Sequence, residues 1–150
     1  DNMNSKCQRK SSDKYTRIVE SVFYRFKEIE KAIKDARLDC RCHGRNGHKW
    51  ISDPTASAAI DRATELPSVV LSDGSEVPYP ERWVKVVKAT YTHLDSLQQK
   101  VFVIRYIKRL SWKECASLNI SRDTFYNLLN DAVMFAKLAA CQLGVMCVIE

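Results

Sequence analysis

The stretch LSWKECASLNISRDTFYNLLNDAVMFAKLA, residues 110 to 139, decides the fold of this chain. Ser111 stands three residues before Glu114, which is the spacing of a capping box, so we expect a short helix to begin at this serine. Asn119 can adopt the left-handed conformation that a tight turn needs, and Ser121 can cap the helix that follows. Two helices joined by so tight a turn, with Ile120 filling the gap between them, predict a helix-turn-helix.

The second helix of this pair has an apolar face and a polar face. We expect its buried side to comprise Phe125, Leu128, Leu129, Ala132 and Val133. Because the second helix of a helix-turn-helix enters the major groove of DNA, the polar side chains of its first turns are candidate ligands for base edges or phosphates: Arg122, Asp123, Thr124, Tyr126 and Asn127. Residues at and just before the first helix are expected to contact the phosphate backbone and to contribute affinity: Lys108, Arg109, Ser111 and Lys113.

Upstream of this motif, apolar residues that recur at spacings of three and four predict further helices. A long amphipathic helix is expected over residues 12–38, and the glycine-containing stretch 40–48 is expected to end it. Pro80 begins another helix that reaches Leu94, and Asp95 caps the next. Each of these helices presents a continuous apolar face, so we expect them to share a core.

The middle of the chain is predicted to be smaller and less regular. Asp53-Pro54 is the signature of a capped helix start, and we expect a short helix from there to Glu65. Residues 69–71 and 76–77 form a small hairpin at most, because Pro78 and Pro80 interrupt a regular ladder.

The predicted fold class is therefore mainly α: a helical domain with a C-terminal helix-turn-helix and a small irregular or hairpin lobe in the middle. We divide the chain into three parts. Residues 1–50 hold the long basic N-terminal helix and a Cys/His loop, residues 51–80 the short helix and the irregular Pro-containing segment, and residues 81–150 the helix-turn-helix domain.

The charge is unevenly distributed along the 150 residues. The chain has 24 Lys and Arg against 18 Asp and Glu, a net charge of +6. Counted by segment, residues 1–50 contribute +6, residues 51–95 contribute −3 and residues 96–150 contribute +3. An excess of this size favours polyanionic partners. The basic residues between positions 17 and 37 fit equally well a solvated face and a nucleic-acid face.

Residues 94–138 resemble region 4 of bacterial sigma factors, the part that reads promoters, and the phage regulators built on it. The resemblance depends on Arg105-Tyr106-Ile107, on residues 110–114 and on Asn119-Ile120-Ser121. Between Ser111 and Asn119 this chain is one residue shorter than the usual pattern. Either Cys115 rather than Ala116 occupies the small position where the helices cross, or the turn is distorted.

The chain as a whole resembles the Q-type late-gene antitermination proteins of lambdoid phages, especially the phage 21 class. The shared features are the size, the long basic N-terminal helix, the CRCHGRNGH loop, the Pro-containing middle and the LSWKECASLNISRDTFYNLLNDA end. This resemblance implies a protein that binds a DNA element at the late promoter, loads onto RNA polymerase with its sigma factor, and suppresses pausing and termination near the RNA exit channel. The implied partners are double-stranded DNA and bacterial RNA polymerase, with nascent RNA and a second copy on the DNA left open.

Two other functions stay open at this stage. A conventional sigma-like activator would use the same helix-turn-helix to recruit polymerase at initiation. A protein-docking module would use the same fold without binding DNA.

The Cys/His segment has two interpretations. Cys40, Cys42, His43 and His48 are of zinc-ligand types, but one short loop rarely closes a tetrahedral shell, so we favour reduced thiols and no metal. The same stretch mixes cations and small residues, which suits a surface that faces RNA or polymerase: Arg41, His43, Arg45, His48 and Lys49.

No catalytic motif stands out, and we expect no enzyme activity: the chain has no phosphate-binding glycine loop, no nucleophile elbow and no His-Glu-x-x-His. No stretch approaches the roughly 18 apolar residues of a membrane span. We expect a cytoplasmic protein of the bacterial host cell without a membrane partner.

Overall fold

The computed structural model describes residues 13–43 and 64–147. This part of the chain is mainly helical with a small antiparallel hairpin in the middle, which confirms the predicted fold class. The elements are α1 (Lys14–His43), β1 (Ser68–Val70), β2 (Glu76–Pro78), α2 (Pro80–His93), α3 (Ser96–Phe102), a π-helical turn (Val103–Ile107), a 3₁₀ helix (Trp112–Leu118) and α4 (Arg122–Gln142).

The core joins α1 to the C-terminal helices. The ring of Phe23 on α1 lies 4.9 Å, centroid to centroid, from the rings of both Phe102 and Tyr106. Phe125 of α4 is fully buried in the same core. Aromatic rings at these separations add edge-to-face attraction to the burial of a large apolar area. The long first helix is therefore part of the body that holds the helix-turn-helix.

The start of α3 follows the sequence prediction. The Asp95 side chain accepts a hydrogen bond of 2.8 Å from the backbone N–H of Gln98, and the Gln98 side chain accepts one of 3.1 Å from the N–H of Asp95. This reciprocal capping box satisfies two of the amides that a helix start leaves unpaired. The helix expected from Pro80 is also confirmed, since α2 spans Pro80–His93.

The hairpin is small, as expected from its prolines. Ser68 pairs with Pro78, Val69 with Val77 and Val70 with Glu76 in antiparallel register. Its turn passes through Gly74 at φ 81, a conformation in which glycine avoids the steric cost that a side chain would impose.

The predicted end of α1 was wrong. The backbone stays helical through Cys40, Arg41, Cys42 and His43, whereas we expected the stretch from Cys40 onward to form a loop. The reason is that residues 38–43 contain no glycine or proline, and the first strong helix breaker is Gly44. The side chains of residues 40–43 lie outside the described residues.

Residues 44–63 also lie outside the described residues, and with them most of the short helix expected after Asp53. Its described end, Thr64 and Glu65, is not helical. Within residues 13–43 and 64–147, no helix combines the length and the apolar character that crossing a membrane requires.

Candidate nucleic-acid interface

The first helix of the helix-turn-helix is wound as a 3₁₀ helix rather than an α-helix, over Trp112–Leu118. A 3₁₀ helix rises about 2.0 Å per residue against about 1.5 Å in an α-helix, so seven residues span about 14 Å and eight α-helical residues about 12 Å. The tighter winding therefore absorbs the missing residue. Cys115 is 1% exposed and Ala116 is exposed, so the cysteine takes the inward position. Of the two possibilities that the sequence left open, the structure shows the first, with Cys115 in the inward position, and the adjustment lies in the helix rather than in the turn.

The capping box expected at Ser111 does not form. The backbone N–H of Glu114 donates to the carbonyl oxygen of Ser111 at 3.2 Å, which is the bond of a 3₁₀ turn, and the serine hydroxyl donates instead to the Glu114 carboxylate at 2.5 Å. This hydroxyl hydrogen bond is the main reason that the pKa of Glu114 lies below its ordinary value. The Ser111 hydroxyl is therefore already engaged within the protein.

The turn between the two helices agrees with the prediction. Asn119 adopts the left-handed conformation, at φ 53 and ψ 39. Ser121 then caps α4, because its hydroxyl accepts a hydrogen bond of 3.2 Å from the backbone N–H of Thr124. Ile120 is half-buried and packs against the core. The cap at Ser121, the left-handed turn at Asn119 and the packing of Ile120 together fix the angle between the 3₁₀ helix and α4.

The first turns of α4 expose all five residues that the sequence nominated for DNA contact: Arg122, Asp123, Thr124, Tyr126 and Asn127. Phe125, between them in sequence, is fully buried and holds the helix against the core. The Arg122 guanidinium lies 5.7 Å from the centroid of the Tyr126 ring. The Thr124 hydroxyl lies 2.9 Å from that of Ser121, so this side chain belongs partly to the cap.

The candidate backbone ligands lie around the end of the π-helical turn and the 3₁₀ helix. Lys108, Arg109 and Lys113 are exposed, and Ser111 is half-buried. Arg109 has φ 57, where glycine is the usual residue. Its guanidinium donates a hydrogen bond of 3.2 Å to the backbone carbonyl of Tyr24 on α1. Arg109 thus combines a strained backbone conformation with a side chain tied to α1.

Sequence reasoning missed two residues beside this surface, Tyr24 and Arg105. The Arg105 guanidinium lies 5.9 Å from the centroid of the Tyr24 ring. Burial raises the pKa of the Tyr24 phenol above its ordinary value; the nearby guanidinium of Arg105 opposes the rise, and the Glu20 carboxylate and then the Tyr126 phenol add to it. Arg105 is one helical turn before Arg109, which could have signalled it. No local pattern could have found Tyr24, which is some 80 residues away in sequence.

Some arginines on the other side of the molecule are held by carboxylates. Three of them, which we call the paired arginines, form ion pairs around the hairpin and the start of α2: Arg25 with Asp73, Arg37 with Glu81 and Arg82 with Glu65. The negative middle segment thus faces basic residues of the same chain. Other basic residues of α1 are exposed: Arg17, Lys27, Lys31 and Lys34.

The arginines of the helix-turn-helix differ. Within residues 13–43 and 64–147, Arg105, Arg109 and Arg122 form no ion pair, and we call them the unpaired arginines. The nearest carboxylate on α1, Glu20, accepts a hydrogen bond of 3.2 Å from the Tyr106 hydroxyl. Guanidiniums without a carboxylate partner are available to bind phosphate or guanine edges.

The Cys/His candidates fall outside what can be described. The side chains of Cys40, Arg41, Cys42 and His43, and all atoms of Arg45, His48 and Lys49, lie outside the described residues. Among the residues that are described, no group of three or more metal-ligand side chains comes together. Cys115 and Cys141 are free thiols, and burial raises the pKa of the Cys115 thiol, which suits a packing role.

The arrangement can read DNA by known chemistry. An exposed arginine matches the two acceptors of a guanine edge, an exposed asparagine matches adenine, and lysines match phosphates.

No family model, no curated protein and no solved structure matches this chain.

Proposed function

We propose that this protein is a DNA-binding phage antitermination factor. It binds a DNA element at the late promoter through α4, loads onto bacterial RNA polymerase with its sigma factor, and suppresses pausing and termination near the RNA exit channel. The observation that supports this best is the turn at Asn119 and Ser121, after which Arg122 and Asn127 stand exposed while Phe125 anchors the helix.

The DNA-binding step follows from the chemistry of that surface. Arg122 and Asn127 offer base-reading groups in the first turns of α4, and Lys108 and Lys113 supply positive charge beside them. Phosphate contacts fix the position of a protein on the duplex, and base contacts choose the sequence. A surface with both kinds of group supports sequence-specific binding.

The antitermination step rests on the resemblance to the Q-type proteins. An intrinsic terminator acts through an RNA hairpin that forms near the exit channel of polymerase. A protein that narrows or extends this channel prevents the hairpin from forming and leaves the chemistry of elongation unchanged. The exposed basic residues of α1 provide a surface compatible with that location.

The test is in vitro transcription through an intrinsic terminator. The template has a promoter followed by a DNA site selected from random duplexes with the full chain, and a matched template has the site scrambled. We expect read-through to rise only on the template with the site, and the combined variant Arg122→Ala, Asn127→Ala to abolish the rise.

The outcomes separate the candidate functions. Equal termination with and without the protein refutes antitermination. If initiation rises on the intact site while termination stays equal, the protein is a conventional sigma-like activator. If no duplex is enriched in the selection, the DNA-binding proposal itself fails.

A further inference from the structure

We propose that α1 completes the DNA-binding surface: Tyr24, Arg105 and Arg109 form a second phosphate-binding site beside the helix that reads the bases. This inference rests on the proposed DNA binding and extends it to residues of two elements, α1 and the π-helical turn. Its ligand is a phosphodiester of the DNA backbone next to the bases that α4 contacts.

Each side of this surface holds an arginine against a tyrosine ring. Arg122 lies over the Tyr126 ring at 5.7 Å, and Arg105 lies over the Tyr24 ring at 5.9 Å. The two phenols are near enough that Tyr126 affects the pKa of Tyr24. The surface therefore holds two arginine–tyrosine pairs, one within α4 and one between the π-helical turn and α1.

Arg109 ties the two elements together at the other end of this cluster. Its guanidinium donates to the Tyr24 carbonyl at 3.2 Å, while its backbone occupies the left-handed region at φ 57. A guanidinium has five N–H donors, and a single carbonyl accepts one or two of them. The remaining donors of Arg109 are available to a second ligand, and both Arg109 and Arg105 contact the same residue of α1, Tyr24.

Charge indicates the kind of ligand. The unpaired arginines are gathered within one cluster, whereas each of the paired arginines is neutralised by a carboxylate. The Glu20 carboxylate lies nearby, but it accepts the Tyr106 hydroxyl and forms no ion pair with these arginines. Planar guanidiniums that have no carboxylate partner match the oxygens of phosphate. The π-helical turn Val103–Ile107 that presents Arg105 is itself a rare element that is frequent at functional sites.

The test compares the salt dependence of duplex binding for matched arginine variants. The probe is a 20-base-pair random-sequence duplex, about the size of one binding site, titrated with the full-length chain between 0.05 and 0.3 M salt, as is usual for such slopes. Loss of one phosphate contact lowers the slope of log K against log salt by about 0.9, which corresponds to roughly eightfold weaker binding at 0.1 M salt. We expect this change for Arg105→Gln, and no change for Arg25→Gln, a paired arginine next to Tyr24 in sequence.

Two further variants separate charge from folding. Arg105→Lys keeps the positive charge, so we expect its slope to equal that of the wild type even where Arg105→Gln lowers the melting temperature. Tyr24→Phe removes only a hydroxyl; we expect about two- to tenfold weaker binding at an unchanged slope, which is the range of one neutral hydrogen bond.

The result that overturns the inference is specific. If Arg122→Ala weakens binding and Arg105→Gln leaves both slope and affinity unchanged, the second phosphate site is wrong and the helix-turn-helix proposal stands. If the slope change appears only with a single-stranded RNA of equal length, the ligand is not DNA and the inference is overturned. If neither the wild type nor any variant binds duplex DNA, both this inference and the proposed function fail.

Discussion

The hairpin side and the helix-turn-helix side of the molecule use arginine in opposite ways. On the hairpin side the paired arginines hold α1, the hairpin and the start of α2 together through carboxylates. On the helix-turn-helix side the unpaired arginines meet only aromatic rings and one backbone carbonyl among the described residues. The net charge of +6 does not distinguish these two groups. What distinguishes them is whether the fold brings a carboxylate into range.

Part of the basic face of α1 is neutralised by carboxylates of the same chain. Arg25 and Arg37 were expected on a solvated or nucleic-acid face, and the structure pairs them with Asp73 and Glu81. The negative charge of the middle segment therefore serves partly to neutralise α1. Among the described residues, the cations without a carboxylate partner include the unpaired arginines and the exposed Arg17, Lys27, Lys31 and Lys34 of α1.

The largest expected effect tests whether the helix-turn-helix side is a rigid part of the core. Phe125 is fully buried, so Phe125→Ala removes a large apolar contact and leaves a cavity. We expect the free energy of unfolding to fall by about 3–5 kcal/mol, measured by urea denaturation. A loss of less than about 1 kcal/mol would mean that α4 is held by something other than this anchor.

The next effect tests the division between the two groups of arginines directly. We expect Arg122→Ala and Asn127→Ala each to relax DNA sequence choice by about 1–3 kcal/mol, while Lys113→Ala weakens all sequences alike. The matched control is Arg82→Ala, which loses its contacts with Glu65. It should lower the melting temperature without changing DNA discrimination. Equal effects of Arg82→Ala and Arg122→Ala on binding would remove the contrast between the two sides.

A smaller effect concerns the turn, where backbone conformation matters and charge does not. Asn119 is at φ 53, so Asn119→Gly should leave stability within a few tenths of a kcal/mol, and Asn119→Ala should cost about 1 kcal/mol. Thermal melts of the two variants give the comparison. If alanine were tolerated as well as glycine, the left-handed turn would not be a requirement of the fold.

The smallest effect is a pH dependence that belongs to an ion pair between α1 and α4. The hydrogen bond from Lys137, 2.8 Å long, is the main cause that lowers the pKa of Asp13 from 3.8 to about 2. Because the folded state holds this carboxylate charged, its contribution to stability is complete above pH 4 and is lost as the pH falls toward 2.

Denaturant unfolding measured between pH 5 and pH 2, the acid range in which carboxylates titrate, checks this expectation. In Asp13→Asn, the free energy of unfolding should fall less as the pH decreases than it does in the wild type. Lys137→Gln should have a smaller effect, because the hydrogen bond of 2.7 Å from the Thr16 backbone N–H still lowers the pKa of Asp13, and the double variant should match Asp13→Asn. If the free energy of unfolding falls as steeply with decreasing pH in Asp13→Asn as in the wild type, the pair contributes nothing to stability.

Much of the local structure could be predicted from short patterns. The cap at Asp95, the left-handed turn at Asn119 and the cap at Ser121 depend on residues within three or four positions of one another, and all three are confirmed. The failures have local causes too. The capping box at Ser111 is displaced by 3₁₀ winding, and α1 runs past Cys40 to His43 because no helix breaker precedes Gly44.

Some of the candidate DNA contacts could be predicted from the sequence, and others could not. Exposure of Arg122 and Asn127 followed from helical periodicity around Phe125, which a sequence displays directly. Tyr24 and Arg105 escaped notice because their proximity exists only after α1 has packed against the π-helical turn. Whether these residues bind DNA stays a prediction.

The sequence by itself determined the helices, the hairpin and the turn of the helix-turn-helix, because capping, periodicity and the conformational limits of glycine and proline act over a few residues. Only the tertiary structure decided which positive charges are neutralised. Arg25 and Asp73 are 48 residues apart, and no local sequence pattern indicates that they form a pair. Coulombic attraction depends on distance in space, so the charge that a chain offers to a partner is settled when its elements pack.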